Sequence, residues 1–388
     1  MVQNIFSTIL QLNIIHQIVL GVALLSFVII LYYYLSKFFS VTRYHLSKKV
    51  KVNESKQPTS VVVVIKDDID FLDKGIHALM SQKYDAPFQV VIVNYKSQCD
   101  TTTTLLDALK KQYPELYVTG VIPTPNFRHT TKLAYTIGVK AAIYENVIFL
   151  SPIATVNSDK WLQLASRGFE YSSIITGYAR ITPHRNFLNA LSRSHNIITS
   201  LLYMGKLTHG HPYMATEQFL GYTKKLFFKC KGFSTYLRLN RGENDIFIQN
   251  ISQHSRVSLV LNPKSTVEIE STKGFRNYIT NCSFVSYSHR YYDFGSQLYM
   301  FSYNLFTLLF WGSSIFLLLA TPMVVQIMVA VVVFVKLVLL FIIAYKLSKR
   351  TKEKVSYINL IFYDLISPFE TMLIWILNRT CPSKDLWI

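Results

Sequence analysis

Residues 17–35 read QIVLGVALLSFVIILYYYL, a nearly uncharged stretch about as long as the ~20 residues an α-helix needs to cross a bilayer. Lys37, Arg43, Lys48, Lys49 and Lys51 follow it directly. A secretory leader carries its charges before a shorter apolar core and ends in a small-residue cleavage site, so this segment reads as a retained anchor. Basic residues flanking a span favour the cytoplasmic side, which places the chain after Lys37 in the cytoplasm.

A second apolar block covers residues 298–345, and Pro322 divides it into LYMFSYNLFTLLFWGSSIFLLLA and MVVQIMVAVVVFVKLVLLFIIAY. Each half is long enough to span, and together they form a hairpin with almost no external loop. The hairpin returns the chain to the side of KLSKRTKEK (346–354), so two basic clusters agree on one orientation. Residues 357–377, YINLIFYDLISPFETMLIWIL, are equally apolar but contain Asp364, Pro368 and Glu370. They read as an interfacial or broken helix, with a further span as the alternative. The layout is a membrane anchor at 1–50, a cytosolic domain at 59–292, a transmembrane hairpin at 298–345, and a basic segment with an interfacial or membrane helix at 346–388.

At 50% hydrophobic and 14% aromatic residues over 388 positions, the composition excludes an ordinary soluble protein. The net charge of +18 is accounted for by attraction to anionic membrane lipids, at about 1 kcal/mol per basic residue near the surface. No basic-aromatic face is visible within the domain, so nucleic acid is not expected as a partner. Cys99, Cys230, Cys282 and Cys381 are scattered without metal-ligand spacing, which fits reduced thiols in a cytosolic compartment. His129, His209, His211 and His289 form no compact cluster in the sequence. The segment 50–58, VKVNESKQP, reads as a linker.

Within 59–292, SVVVVI (60–65) and FQVVIVN (88–94) are continuous apolar runs of the kind a parallel strand covered on both faces requires. DFLDKGIHALMSQ (70–82) and TTTLLDALKKQYP (102–114) have helical spacing, and a third helix at about 131–145 leads into NVIFLS as another strand. This alternation predicts a doubly wound α/β sheet. Ligands in such sheets bind beyond the carboxyl ends of the strands, here residues 66–68, 94–97 and 151–155.

Four patches, FRHTTKLAYTIGVKAAIYENVIFL (127–150), SDKWL (158–162), LGYTKKLFFKCKGF (220–233) and GENDIFI (242–248), occur in an order and spacing that resemble membrane-bound family 2 glycosyltransferases. The resemblance covers roughly 60–292 and extends loosely to the hairpin. It implies a GT-A fold, a Rossmann-like doubly wound α/β domain joined to transmembrane helices. It also implies residence in a bacterial cytoplasmic membrane and transfer of a sugar from a nucleotide-diphospho-sugar.

The family's chemistry is then matched residue by residue. Loss of a nucleoside diphosphate leaves negative charge that a divalent metal neutralises. The family's Asp-x-Asp for this purpose follows the strand matching VIFL, where residues 151–155 contain no carboxylate. The chain is therefore expected to hold no metal, with Mg or Mn entering beside a nucleotide-sugar only if the domain is active. Asp159 beyond the turn reads as a helix cap, and Asp100 is the other carboxylate near a strand tip. Asn94 or Tyr95 stands where the family contacts the base, and Asp67 with Asp68 ends the first strand as a solvated turn or a nucleotide contact. Thr216, Glu217 and Gln218 replace a glycine-rich acceptor turn, losing the close backbone approach that glycine permits.

Glu243 and Asp245 match the position of the general base, with the alternative that they only cap a helix. Lys132 matches a lysine on the diphosphate side. FRNYITNCSFVSYSHR (275–290) stands where a basic cluster holds the diphosphate, leaving Arg276, His289 and Arg290 as the nearest cations. Two expectations follow. The first is a pseudoglycosyltransferase serving as a binding or assembly subunit, beside an active glycosyltransferase or envelope-assembly protein, in envelope glycan or glycolipid synthesis. The alternative is an active inverting enzyme that moves a sugar to a lipid or glycan acceptor without the usual metal site.

Overall fold

The computed structural model describes residues 12–46, 57–95, 97, 99–121, 130–237, 239 and 242–380. Most of the linker read at 50–58 lies outside the described residues, as do Lys48, Lys49, Lys51, His129 and Cys381.

The apolar runs of the domain build a seven-stranded sheet whose strands lie in the order Leu116–Val121, Phe88–Tyr95, Thr59–Ile65, Asn146–Leu150, Phe219–Thr223, Ile174–Thr176 and Val257–Leu259. Strands β1 (Thr59–Ile65), β2 (Phe88–Tyr95), β3 (Leu116–Val121) and β4 (Asn146–Leu150) are mutually parallel. β8 (Phe219–Thr223) runs antiparallel between β4 and β6 (Ile174–Thr176), and β9 (Val257–Leu259) closes the edge parallel to β6. Val61, Val62, Val63 and Ile65 are all buried, the two-sided burial their β-branched run called for. β5 (Ala154–Thr155), β7 (Ala179–Ile181) and β10 (Val267–Ile269) form a second sheet of three strands.

The third parallel strand, β3, was not expected. Its sequence LYVTGV has one buried residue at each end and exposed or half-buried ones between, as an edge strand does, so it lacks the continuous apolar run that marks β1 and β2. The helix Thr130–Ala141 packs on the sheet through Gly138, where a Cβ would collide with Val62 Cγ1. Glycine there sets how closely the helix approaches β1 and β2.

Among the described residues, four helices, Ile14–Arg43, Phe294–Ala320, Met323–Thr351 and Tyr357–Thr380, are long and apolar enough to cross a membrane. The last is unbroken: Pro368 lies inside it. Its polar residues are turned toward other helices, since Asp364 pairs with Lys336 and accepts from Trp311 Nε1 at 2.8 Å, while Asn378 Nδ2 donates to Ser286 Oγ at 2.8 Å. The anchor helix passes through a π-helical segment, Tyr33–Phe38, and packs on the first hairpin helix, where Tyr33 Oη donates to the Tyr299 carbonyl at 2.7 Å. Arg350 Nη1 donates to the Val41 and Thr42 carbonyls at 3.2 and 3.1 Å, satisfying acceptors that a helix end leaves open.

The long helix Phe187–Leu207 joins domain to membrane helices. At Gly205 an added Cβ would stand 3.0 Å from Lys37 Cβ, so the two backbones meet closely there.

Candidate functional site

Of the strand tips named above, the one after β1 is tied down, and Lys96 within the one after β2 lies outside the described residues. Asp67, in the left-handed region at φ 54°, accepts from the Cys99 N–H at 3.1 Å and from Thr102 Oγ1 at 3.2 Å. It thereby links the end of β1 to the first turn of the helix Asp100–Gln112, a fixed bridge in place of the solvated turn expected from sequence. Asp68 accepts the Lys66 N–H at 2.8 Å. Asn94, near the end of β2, pairs with Ile65 of β1 and Gly120 of β3. Its Oδ1 is buried and has no hydrogen-bond partner among the described residues.

At the tip of β4, Ser151, Pro152 and Ile153 make a turn closed by Ala154 N–H donating to the Ser151 carbonyl at 3.0 Å. Ala154 is 2% exposed and packs in the same apolar cluster as Val156, Trp161 and Phe219. The following carboxylate, Asp159, is turned to Lys83 at 2.7 Å, and its own carbonyl accepts the Lys83 N–H at 2.7 Å. Hydrogen bonding from Lys83 holds the Asp159 carboxyl below its ordinary range. Asp100 is exposed at the start of its helix. A diphosphate-bound metal needs hard oxygen donors, and residues 151–155 do not fit one.

A cavity of about 160 Å³ opens beside β4 and β8. Its walls are aromatic: Tyr135, Phe149, Tyr222, Phe233 and Phe284. Thr131, Glu217, Glu243 and Asn244 add polar groups. Ordinary ligand pockets occupy about 300–1,000 Å³, so this one is small for a nucleotide-sugar.

Lys132 and Glu243, separate candidates in the sequence, meet here. Lys132 is 1% exposed, donates to the Leu239 carbonyl and lies 3.9 Å from Glu243 Oε1. Its ammonium also sits 5.8 Å over the Tyr236 ring. Glu243 thus combines a face on the cavity with a buried cation behind it.

Asp245 points elsewhere. It caps the helix Ile246–Ile251, accepting the Ile246 N–H at 2.6 Å, and also accepts from Ser288 Oγ and from Tyr292 Oη at 2.9 Å. Burial, with the Asp245 carboxylate beside it, holds the Tyr292 phenol well above its ordinary range, so it remains a donor. The capping alternative describes Asp245; Glu243 is the carboxylate of this pair that lines the cavity.

Arg276 is exposed on the helix Phe275–Ser286, whose contribution to the cavity is Phe284. Arg290 is exposed and stacks on Tyr287 at 4.1 Å and Tyr291 at 4.9 Å. Neither arginine lines the cavity. Glu217 does, although sequence reasoning treated it only as a bulky replacement for glycine; its charge beside an apolar strand was the available signal.

No family model and no curated protein sequence matches this chain. Solved structures do. A mannosyltransferase from Pyrobaculum calidifontis, in complex with GDP-Man and Mn2+, aligns at TM-score 0.62 and 12% identity over 94% of this chain and 99% of its own. TarS 1-349 from S. aureus aligns at TM-score 0.40 and 15% identity, over 83% of this chain and 91% of its own. GalNAc-T7 with UDP, GalNAc and Mn2+ aligns at TM-score 0.42 and 15% identity, over 56% of this chain and 44% of its own. At 12% identity the likeness to the Pyrobaculum enzyme is one of fold. The expected GT-A glycosyltransferase fold is present, together with four helices of membrane-spanning length.

Proposed function

We propose that this GT-A-type membrane protein is a family 2 pseudoglycosyltransferase. In this reading it is a binding or assembly subunit in envelope glycan or glycolipid synthesis, held in a bacterial cytoplasmic membrane with its domain on the cytosolic side. The observation that carries the reading is the tip of β4, where the turn that would present metal ligands has become an apolar plug with Ala154 at its centre. The small size of the cavity and the exposed positions of Arg276 and Arg290, neither of which lines it, support the reading. The domain then offers its surface to an active glycosyltransferase or an envelope-assembly protein.

A second reading rests on Glu243 and Asn94. Glu243 faces the cavity and is backed by Lys132; Asn94 Oδ1 is buried with no donor among the described residues. In that case the Glu243 carboxylate takes the proton of an acceptor hydroxyl as its oxygen attacks the anomeric carbon and the nucleoside diphosphate leaves.

Calorimetric titration of the detergent-purified full chain with UDP and GDP, with and without Mg2+ or Mn2+, decides between them. Absence of binding at millimolar nucleotide is the expected result. Metal-dependent binding in the micromolar range overturns the pseudoenzyme reading. Metal-independent binding, with sugar transfer abolished by Glu243→Gln, establishes the second reading.

A further inference from the structure

Three side chains distant in sequence meet where the C-terminal helix crosses the domain. His195 comes from the helix Phe187–Leu207, Cys282 from Phe275–Ser286 and Glu370 from Tyr357–Thr380. A ring nitrogen, a sulfur and a carboxylate oxygen, one from each, all lie within 4.8 Å of one another.

The hydrogen bonds around them do not close. His195 Nδ1 has Tyr363 Oη at 3.0 Å, Tyr278 Oη at 3.1 Å and Glu370 Oε1 at 3.4 Å. One ring nitrogen offers a single directed bond, as donor or as acceptor, so it cannot serve three oxygens at once. Glu370 Oε1 is buried with the His195 ring, Tyr278 and Tyr363 as its polar neighbours, and among the described residues none of them meets it with good hydrogen-bond geometry. Such an orphan calls for an explanation, an unplaced ion being one.

We propose that His195, Cys282 and Glu370 bind a zinc-class divalent ion that fastens the C-terminal helix to the domain. With Zn–N near 2.0 Å and Zn–S near 2.3 Å, ligand atoms of a tetrahedral site stand about 3.3–3.8 Å apart. The His195–Glu370 separation of 3.4 Å already falls in that range, and the 4.8 Å limit on the trio leaves about 1 Å to close relative to that geometry. A thiolate with an imidazole selects zinc over magnesium or manganese, so this ion differs in kind from the one a nucleotide-sugar would bring. Three protein ligands leave the fourth position to water. The Cys282 proton leaves to solvent when sulfur binds the metal. The same helix carries Phe284 in the cavity wall, two residues beyond Cys282, so an occupied site also fixes one wall of the cleft.

The test is optical titration of the metal-stripped full chain in detergent with Co2+, then displacement with ZnCl2. The expected result is a thiolate-to-cobalt charge-transfer band with tetrahedral visible absorption, saturating at one equivalent and displaced by zinc but not by Mg2+. Cys282→Ser abolishes the charge-transfer band and Cys99→Ser keeps it. Glu370→Gln weakens binding by at least the roughly 10–100-fold that loss of an outer-shell partner costs. Absence of that band from the wild-type protein, or its survival in Cys282→Ser, overturns the proposal. The wild-type titration stands whether or not any variant folds.

Discussion

Glu353 sits between the second hairpin helix and the C-terminal helix, 1% exposed, with its carboxyl turned into the domain. Its Oε2 accepts from Tyr178 Oη at 3.1 Å, the Ile181 N–H at 3.2 Å and Asn196 Nδ2 at 3.3 Å. Its Oε1 has no hydrogen-bond partner among the described residues. Burial pushes the carboxyl from 4.5 up to about 7, against the pull of those donors and of the nearby Arg193 charge. Between these two pH values the folded chain holds a proton that the unfolded chain has released. Stability from the protonated form is therefore complete below about pH 4.5 and lost as pH rises through about 7. The gap of about 2.5 between the two values, at ~1.36 kcal/mol each, amounts to about 3 kcal/mol.

Glu353→Gln keeps the acceptor for all three donors and removes the ionisation. Denaturant unfolding of the detergent-purified wild type and variant, followed by tryptophan fluorescence from pH 4.5 to pH 8.5, should show the two converging at the acid end. At the alkaline end the variant should be the more stable by up to about 3 kcal/mol. Curves that stay parallel across that window, or a variant less stable at pH 8, would refute the assignment of a neutral Glu353 to the fold.

Other consequences are as definite. Gly138→Ala puts a methyl against Val62 Cγ1 and should destabilise the domain by about 1–3 kcal/mol in denaturant unfolding. Lys132→Met removes the buried cation that lies 3.9 Å from the half-buried Glu243; it should cost about 3 kcal/mol, and Lys132→Met with Glu243→Gln together should cost less than the single change in the same assay. Lys336→Met strands the buried Asp364 between membrane-length helices. It should lower the detergent melting temperature clearly, and Asp364→Asn added to it should restore most of the loss.

What the sequence disclosed follows from how local each signal is. The helices of membrane-spanning length in the first and second apolar blocks were legible because twenty apolar residues in a row have few other places to go, and β1, β2 and β4 because their burial is continuous. β3 escaped because an edge strand carries no such run. The C-terminal segment was read as an interfacial or broken helix, with a further span as the alternative, because Asp364, Pro368 and Glu370 look costly in an apolar run; the helix runs through Pro368, and Asp364 is turned to Lys336 and Glu370 toward His195.

The site divides along the same line. The missing carboxylates of residues 151–155 are a local fact and were visible at once. The roles of Asp245 and Glu243 were not, because two residues apart on one turn they face opposite ways, and what each faces is set by Ser288 and Tyr292 on one side and Lys132 on the other. Spacing rules find metal sites only when the ligands share an element, and His195, Cys282 and Glu370 lie on three helices. Such a trio is created by the docking of the C-terminal helix, so the same substitution that loosens that helix should also loosen the ion, and binding of cobalt to the wild-type chain reads out both.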